Sequence, residues 1–150
     1  MSLPSFTEMK TPPLPLPEAE MGDLEDLYKD LHRHPELGFH EVRTAGIVAE
    51  RLRGLGFTVT EKVGKTGVVG ILQRAEGPPV MMRADMDALP VKEETGLPYA
   101  SEATFTRDDG TVTPLMHACG HDLHTTALLG ACEALVADES WHGRLMVVFQ

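Results

Sequence analysis

Between Gly54 and Phe57 the apolar period of this chain changes from that of a helix to that of a strand. Upstream, Leu24, Leu27, Tyr28 and Leu31 recur at helical spacing from a start near Gly22, Asp23 is placed to cap them, and Pro35 closes the segment. Ala45, Val48, Ala49 and Leu52 mark a second helix over 41–53, ended by Gly54 or Gly56. Downstream, Phe57, Val59 and Glu61 alternate with Thr58, Thr60 and Lys62 as a half-buried strand. A second strand follows over 67–73. A third, over 80–84, is apolar enough to be buried on both faces, with Met81 and Met82 in the core. Residues 85–116 show no period, as expected of a functional loop or one hiding short strands. A helix over 121–137 has its apolar stripe on Leu123, Ala127, Leu128, Ala131, Leu135 and Val136. A last strand covers 144–150. The order α-α-β-β-β-loop-α-β predicts an α/β domain with a mixed central sheet flanked by helices.

Residues 1–21 stand apart: five prolines and no apolar period predict an extended arm, one that could also serve a proline-reading partner. The ordered domain is expected over 22–150. The formal charge of −10 argues against nucleic acid or an anionic membrane as partner. The apolar runs are too short to span a bilayer, and no signal peptide pattern opens the chain. Two cysteines, Cys119 and Cys132, make no disulfide framework, so a cytoplasmic, reducing compartment is expected.

The richest chemistry lies in Met116-His117-Ala118-Cys119-Gly120-His121-Asp122-Leu123-His124-Thr125, with three His, one Cys and one Asp in ten residues. Thiolate and imidazole suit borderline divalent metals. Within a helix, residues two apart point about 200° apart. In a turn entering a helix, Gly120 lets Cys119 and His121 face one ion. The alternative is a core cysteine with surface histidines. Asp85 and Asp87, just past the third strand, share one side of an extended chain and could hold a ligating imidazole by its other N–H. Read alone, the pair is better taken as a solvated acidic turn. His32-Arg33-His34-Pro35-Glu36-Leu37-Gly38 reads locally as a helix C-terminus bearing polar groups. Gly64-Lys65-Thr66 lacks the leading glycine of a phosphate loop, since Val59 stands there, and no Gly-x-Ser-x-Gly elbow occurs.

As a set, residues 31–39, 82–90 and 116–125 resemble the M20 metallopeptidases. The closer likeness is to their amidohydrolase branch of hippurate hydrolases, N-acyl-amino-acid amidohydrolases and indole-acetic-acid–amino-acid hydrolases. The resemblance covers about 22–150 and implies the N-terminal part of a catalytic domain, with a lid-and-dimerisation domain beyond Gln150 and a homodimer at full length. It implies two divalent ions, zinc or manganese, with Cys119 as a bridging ligand and His121 as a second. Asp87 would steer a ligand. Asp85 would have a supporting place, while His117 and His124 would either support ligands or pack. A Glu-Glu pair, general base then ligand, is expected just past Gln150. The implied reaction is metal-dependent hydrolysis of N-acyl amino acids or small peptides. A dipeptidase or carboxypeptidase of the same superfamily, or a metal-binding chain without catalysis, are the rival readings.

Overall fold

The computed structural model describes residues 18–150. The proline-rich arm lies, up to residue 17, outside the described residues. The elements in order are α1 (Glu18–Arg33), α2 (Val42–Gly54), β1 (Thr58–Val63), β2 (Gly67–Arg74), β3 (Pro79–Ala84), β4 (Thr104–Thr106), β5 (Val112–Pro114), α3 (His121–Ala137) and β6 (Gly143–Phe149). Helix α1 starts ahead of Gly22, so Asp23 lies inside it rather than capping it. The Asp23 carboxylate instead pairs with Arg51 of α2.

Four strands form a mixed sheet in the order β1-β2-β6-β3. β1 pairs antiparallel with β2, β2 antiparallel with β6, and β3 parallel with β6. The period of two then sorts β6: Leu145, Val147 and Phe149 are buried beneath the helices, and Met146 and Val148 are only half-buried on the far face. Helix α2 lies over β1 and β2, α3 over β3, and α1 packs on α3. Leu27, Leu31, Val48, Leu52, Val68, Leu129, Cys132 and Phe149 belong to one continuous core. At Gly70 a Cβ would come within 3.0 Å of Leu52 and Val147, so the missing side chain sets how closely α2 approaches the sheet. No helix among the described residues is long and apolar enough to cross a membrane.

Two expectations about burial need correction. β3 is not buried on both faces; among the described residues it is an edge strand bonded only to β6. Val80 is 55% and Met81 65% exposed, and only Met82 packs against the core. Helix α3 turns only part of the expected stripe inward: Leu128 is buried, and Leu135 and Val136 pack against the core. Polar residues of its first turns lie on the buried side, so apolar periodicity could not choose the face there. Asp122, Thr125, Thr126, Leu128, Leu129 and Cys132 are buried, whereas Leu123 and Ala127 are exposed. The loop over 85–116 does hide short strands, β4 and β5, which form a hairpin of their own.

The loop is laid down by backbone bonds that matter for the site. Past β3, Met86 N–H donates to Gln150 O, and Ala88 N–H donates to Glu36 O. Leu89 and Met116 exchange N–H···O bonds in both directions. The segment carrying Asp85 and Asp87 is thereby stitched between the loop after α1 and the turn before α3.

Candidate metal centre

Helix α3 begins at His121, preceded by Gly120 at φ 75°. A left-handed residue there reverses the chain between Cys119 and His121, as a turn entering the helix requires. The Cys119 thiol is free and exposed. His121 is held from the other side. Its Nδ1 lies 2.9 Å from Asp87 Oδ1 and 2.8 Å from the Asp87 carbonyl oxygen. Both partners are acceptors, so Nδ1 carries the proton and donates. The Nε2 lone pair is therefore left for a Lewis acid, the tautomer that metal-bound imidazole uses. The His124 ring lies 5.6 Å from that of His121 on the exposed side of the helix.

The remaining candidates divide. The Asp85 carboxylate turns away to pair with Arg83, and its backbone oxygen accepts from the Thr125 hydroxyl. Asp87 alone of the pair reaches an imidazole. His117, only 5% exposed, has no hydrogen-bond partner at either ring nitrogen among the described residues. Burial pushes its pKa below the ordinary histidine value and keeps the ring neutral; of its charged neighbours, Asp122 and Asp87 oppose this and His32 and His121 reinforce it. Two unanswered polar atoms in so buried a place cost about 1–3 kcal/mol each, which marks His117 as a group built to meet something further. Cys132 differs from Cys119. It sits in the core and burial raises its thiol pKa to about 12, so it is inert.

The most buried polar cluster is one that sequence reasoning missed. His32, expected as a polar group at a helix end, is buried in α1. Its Nδ1 lies 2.6 Å from Asp122 Oδ2, and its Nε2 lies 3.0 Å from Glu93 Oε1. The Glu93 side chain is 0% exposed and also accepts from the Thr95 hydroxyl and, at 2.6 Å, from Ser101 N–H. Tyr99 and Tyr28 cover the ring edge, with centroids 5.4 and 5.8 Å from it. Burial works against charge on His32, but the hydrogen bonds to Glu93 and Asp122 outweigh it and raise its pKa. The reverse balance lowers that of Glu93: burial raises it, and the bonds from Thr95, Ser101 and His32 bring it down further. A signal existed for His32, which is four residues past Tyr28 on the buried stripe of α1. None existed for Glu93 in an aperiodic loop. His34 behaves as expected, donating from Nδ1 to the Asp30 carbonyl near the helix end.

The donor set tests well for a borderline divalent ion. It offers a free thiol at a helix N-terminus, an imidazole whose Nδ1 is tied down by a carboxylate, and a buried imidazole without partners. It is also incomplete, since no three His, Cys, Asp or Glu among the described residues could hold an ion by themselves.

Residues 81–150 match the sequence model of peptidase family M20/M25/M40. The chain is 45% identical over 130 residues to a hippurate hydrolase of Campylobacter jejuni, a match covering 86% of this chain and 31% of that protein. It is 41% identical over 124 residues to an N-acetyl-L-cysteine deacetylase of Bacillus subtilis, covering 81% and 28% respectively. The fold superposes with TM-score 0.78 on a dinuclear metal-binding peptidase of the M20 family from Bacillus subtilis, at 35% identity over 90% of this chain and 36% of that one. The chain thus spans about a third of the length of the curated relatives it matches.

Proposed function

We propose that this chain, which belongs to the peptidase family M20/M25/M40, contributes part of the metal site of an amidohydrolase acting on N-acyl amino acids. The observation that carries the reading is the pair of contacts between Asp87 and His121, which frees Nε2 at the turn that also exposes Cys119. Cys119 and His121 are the ligands from this segment. Asp87 orients His121, and Asp85, His117 and His124 stand around them in supporting places. Two divalent ions, zinc or manganese, bound by these residues together with others from outside this segment, would polarise the scissile carbonyl and lower the pKa of a water. The dinuclear neighbour supports that count.

The chain's own contribution is positional. Asp87 fixes the His121 tautomer and ring plane, and the turn at Gly120 leaves Cys119 exposed beside the start of α3. The proton-transferring carboxylate belongs to the segment following β6. Hippurate and N-acetylcysteine, the substrates in the relatives' names, are both N-acyl amino acids, which supports that substrate class for this reading. The same reading keeps a proline-rich arm ahead of α1, shorter than 1–21 because the helix already begins at Glu18, and takes the rest through residue 150 as the first part of the catalytic domain. It puts a lid-and-dimerisation domain further on, and takes the whole as a cytoplasmic homodimer.

The test is made on the intact protein. Metal content is measured by mass spectrometry, and hydrolysis is followed on a panel of N-acyl amino acids and dipeptides. Cys119→Ala and His121→Ala should each lose bound metal. Each should also lose more activity than the roughly 10–100-fold expected when only a ligand's hydrogen-bond partner is removed. Full metal content and activity in both variants would refute the assignment, and preference for dipeptides over N-acyl amino acids would move the substrate class.

A further inference from the structure

We propose that His32 is a positioning residue for the metal-binding turn, clamping the first turn of α3 through Asp122 while Asp87 clamps it through His121. The inference rests on the metal reading above and adds to it a part of the fold that touches neither Cys119 nor His121. Consecutive residues of α3 are gripped by different elements: His121 by the segment after β3, and Asp122 by α1. Two grips on neighbouring residues, pointing to different sides of one helix, fix both its rotation and its axial position. One grip alone would leave rotation about that contact.

The clamp is anchored beyond α1. Glu93 holds the far nitrogen of His32 and is itself held by Thr95 and Ser101, so the loop over 91–101 is tied into the same chain of bonds. Asp122 is committed at its other oxygen as well, accepting from Leu123 N–H at 2.8 Å, and its carbonyl accepts from the Thr126 hydroxyl. Both ring nitrogens of His32 face carboxylates, which accept and cannot donate when ionised. Only the imidazolium satisfies both, so the clamp is a buried, charge-assisted pair of bonds rather than a neutral contact.

The experiment uses the intact protein, stripped of metal and reloaded with cobalt(II). The readouts are the sulfur-to-cobalt charge-transfer absorption and the metal affinity in competition with a chelator. His32→Gln should weaken the affinity by about tenfold, the low end of what losing a ligand's own hydrogen-bond partner costs, since it acts one step removed through Asp122, and should shift or reduce the thiolate band, with the circular dichroism of the apo-protein unchanged. Glu93→Gln keeps the contact between His32 and Asp122 and should show a smaller change in the same direction. Variants that fold, bind cobalt like the parent and keep its spectrum would overturn the positioning role. If His32→Gln fails to fold, Glu93→Gln decides, and a parent-like affinity and spectrum there would leave His32 a stabilising residue only. A parent protein that takes up no cobalt, or whose band survives Cys119→Ala, would instead overturn the metal reading.

Discussion

An imidazole held between two carboxylates ties its charge to pH. The groups facing His32 are Asp122 and Glu93 at its nitrogens, Tyr28 and Tyr99 at its edge, and His117 nearby. Its pKa in the fold lies above the unfolded value of about 6.5. The stabilisation it provides is therefore complete below about pH 6.5 and is lost as pH rises through the higher folded value. Glu93, whose pKa is lowered, contributes in the opposite window: its share is present above about 4.5 and is lost as pH falls through the folded value. Chemical denaturation of the apo-protein should accordingly show stability falling with pH above 6.5, and His32→Gln should flatten that slope. A parent and variant with parallel pH curves would contradict the assignment. Individual residues are legible in the sequence where the motif itself is local. Cys119, Gly120 and His121 are neighbours, and turn chemistry brings them together. Residue type suggests that an acid grips His121, the family resemblance picks Asp87 over Asp85, and the pairing of Asp85 with Arg83 gives the physical difference between them. His32, Glu93 and Asp122 are scattered over three elements, and nothing in their spacing announces one cluster.

Among the elements, glycine acts in two unlike ways, and mutation should separate them. Gly70 has an ordinary strand backbone but no room: an added Cβ meets Leu52 and Val147 at 3.0 Å and Phe57 at 3.2 Å. Gly70→Ala should push α2 off the sheet and cost about 1–3 kcal/mol of stability, read by denaturant titration. A cost near zero would mean that the side chains above it give way freely. Gly120 has room and an unusual backbone: an added Cβ would meet nothing within 4 Å, but φ stands at 75°. Gly120→Ala should cost about 1–2 kcal/mol through conformation alone, and asparagine should recover part of it. Capping of α2 shows the same reach beyond local sequence. Its own N-cap Glu41 makes no capping bond, and instead accepts from Thr66. The free N–H groups of Arg43 and Thr44 are met by the Glu36 carboxylate from the preceding loop. Period and punctuation are enough to place the helices and longer strands, and they place α3 to the residue. Which face α3 buries does not follow from them, because Leu123, Ala127 and Leu129 are equally apolar and only α1 and the sheet decide between them. β4 and β5, three residues each, are too short to show a period at all.

For the molecule as a whole, the two outer edges of the sheet are guarded unequally. β1 presents Thr58, Thr60, Glu61 and Lys62, and its register with β2 shifts between Thr60 and Val63, so it offers a poor template for a further strand. β3 presents Val80 and Met81 in the open, with Arg83 drawn aside by Asp85. Its bonding to β6 is regular over six residue pairs, and its other edge has no strand partner among the described residues. A polypeptide of these 150 residues expressed by itself should therefore self-associate through β3. The charge of −10 opposes that association at low salt, and screening should release it, since the Debye length falls from about 30 Å at 0.01 M to about 8 Å at 0.15 M. Light scattering across that range should show growth with salt, and Met81→Lys, which places a charge on the open face beside the unguarded edge, should suppress it. A monodisperse monomer at both ionic strengths would show that the β3 edge is protected, and a salt-driven association untouched by Met81→Lys would move the contact to another surface.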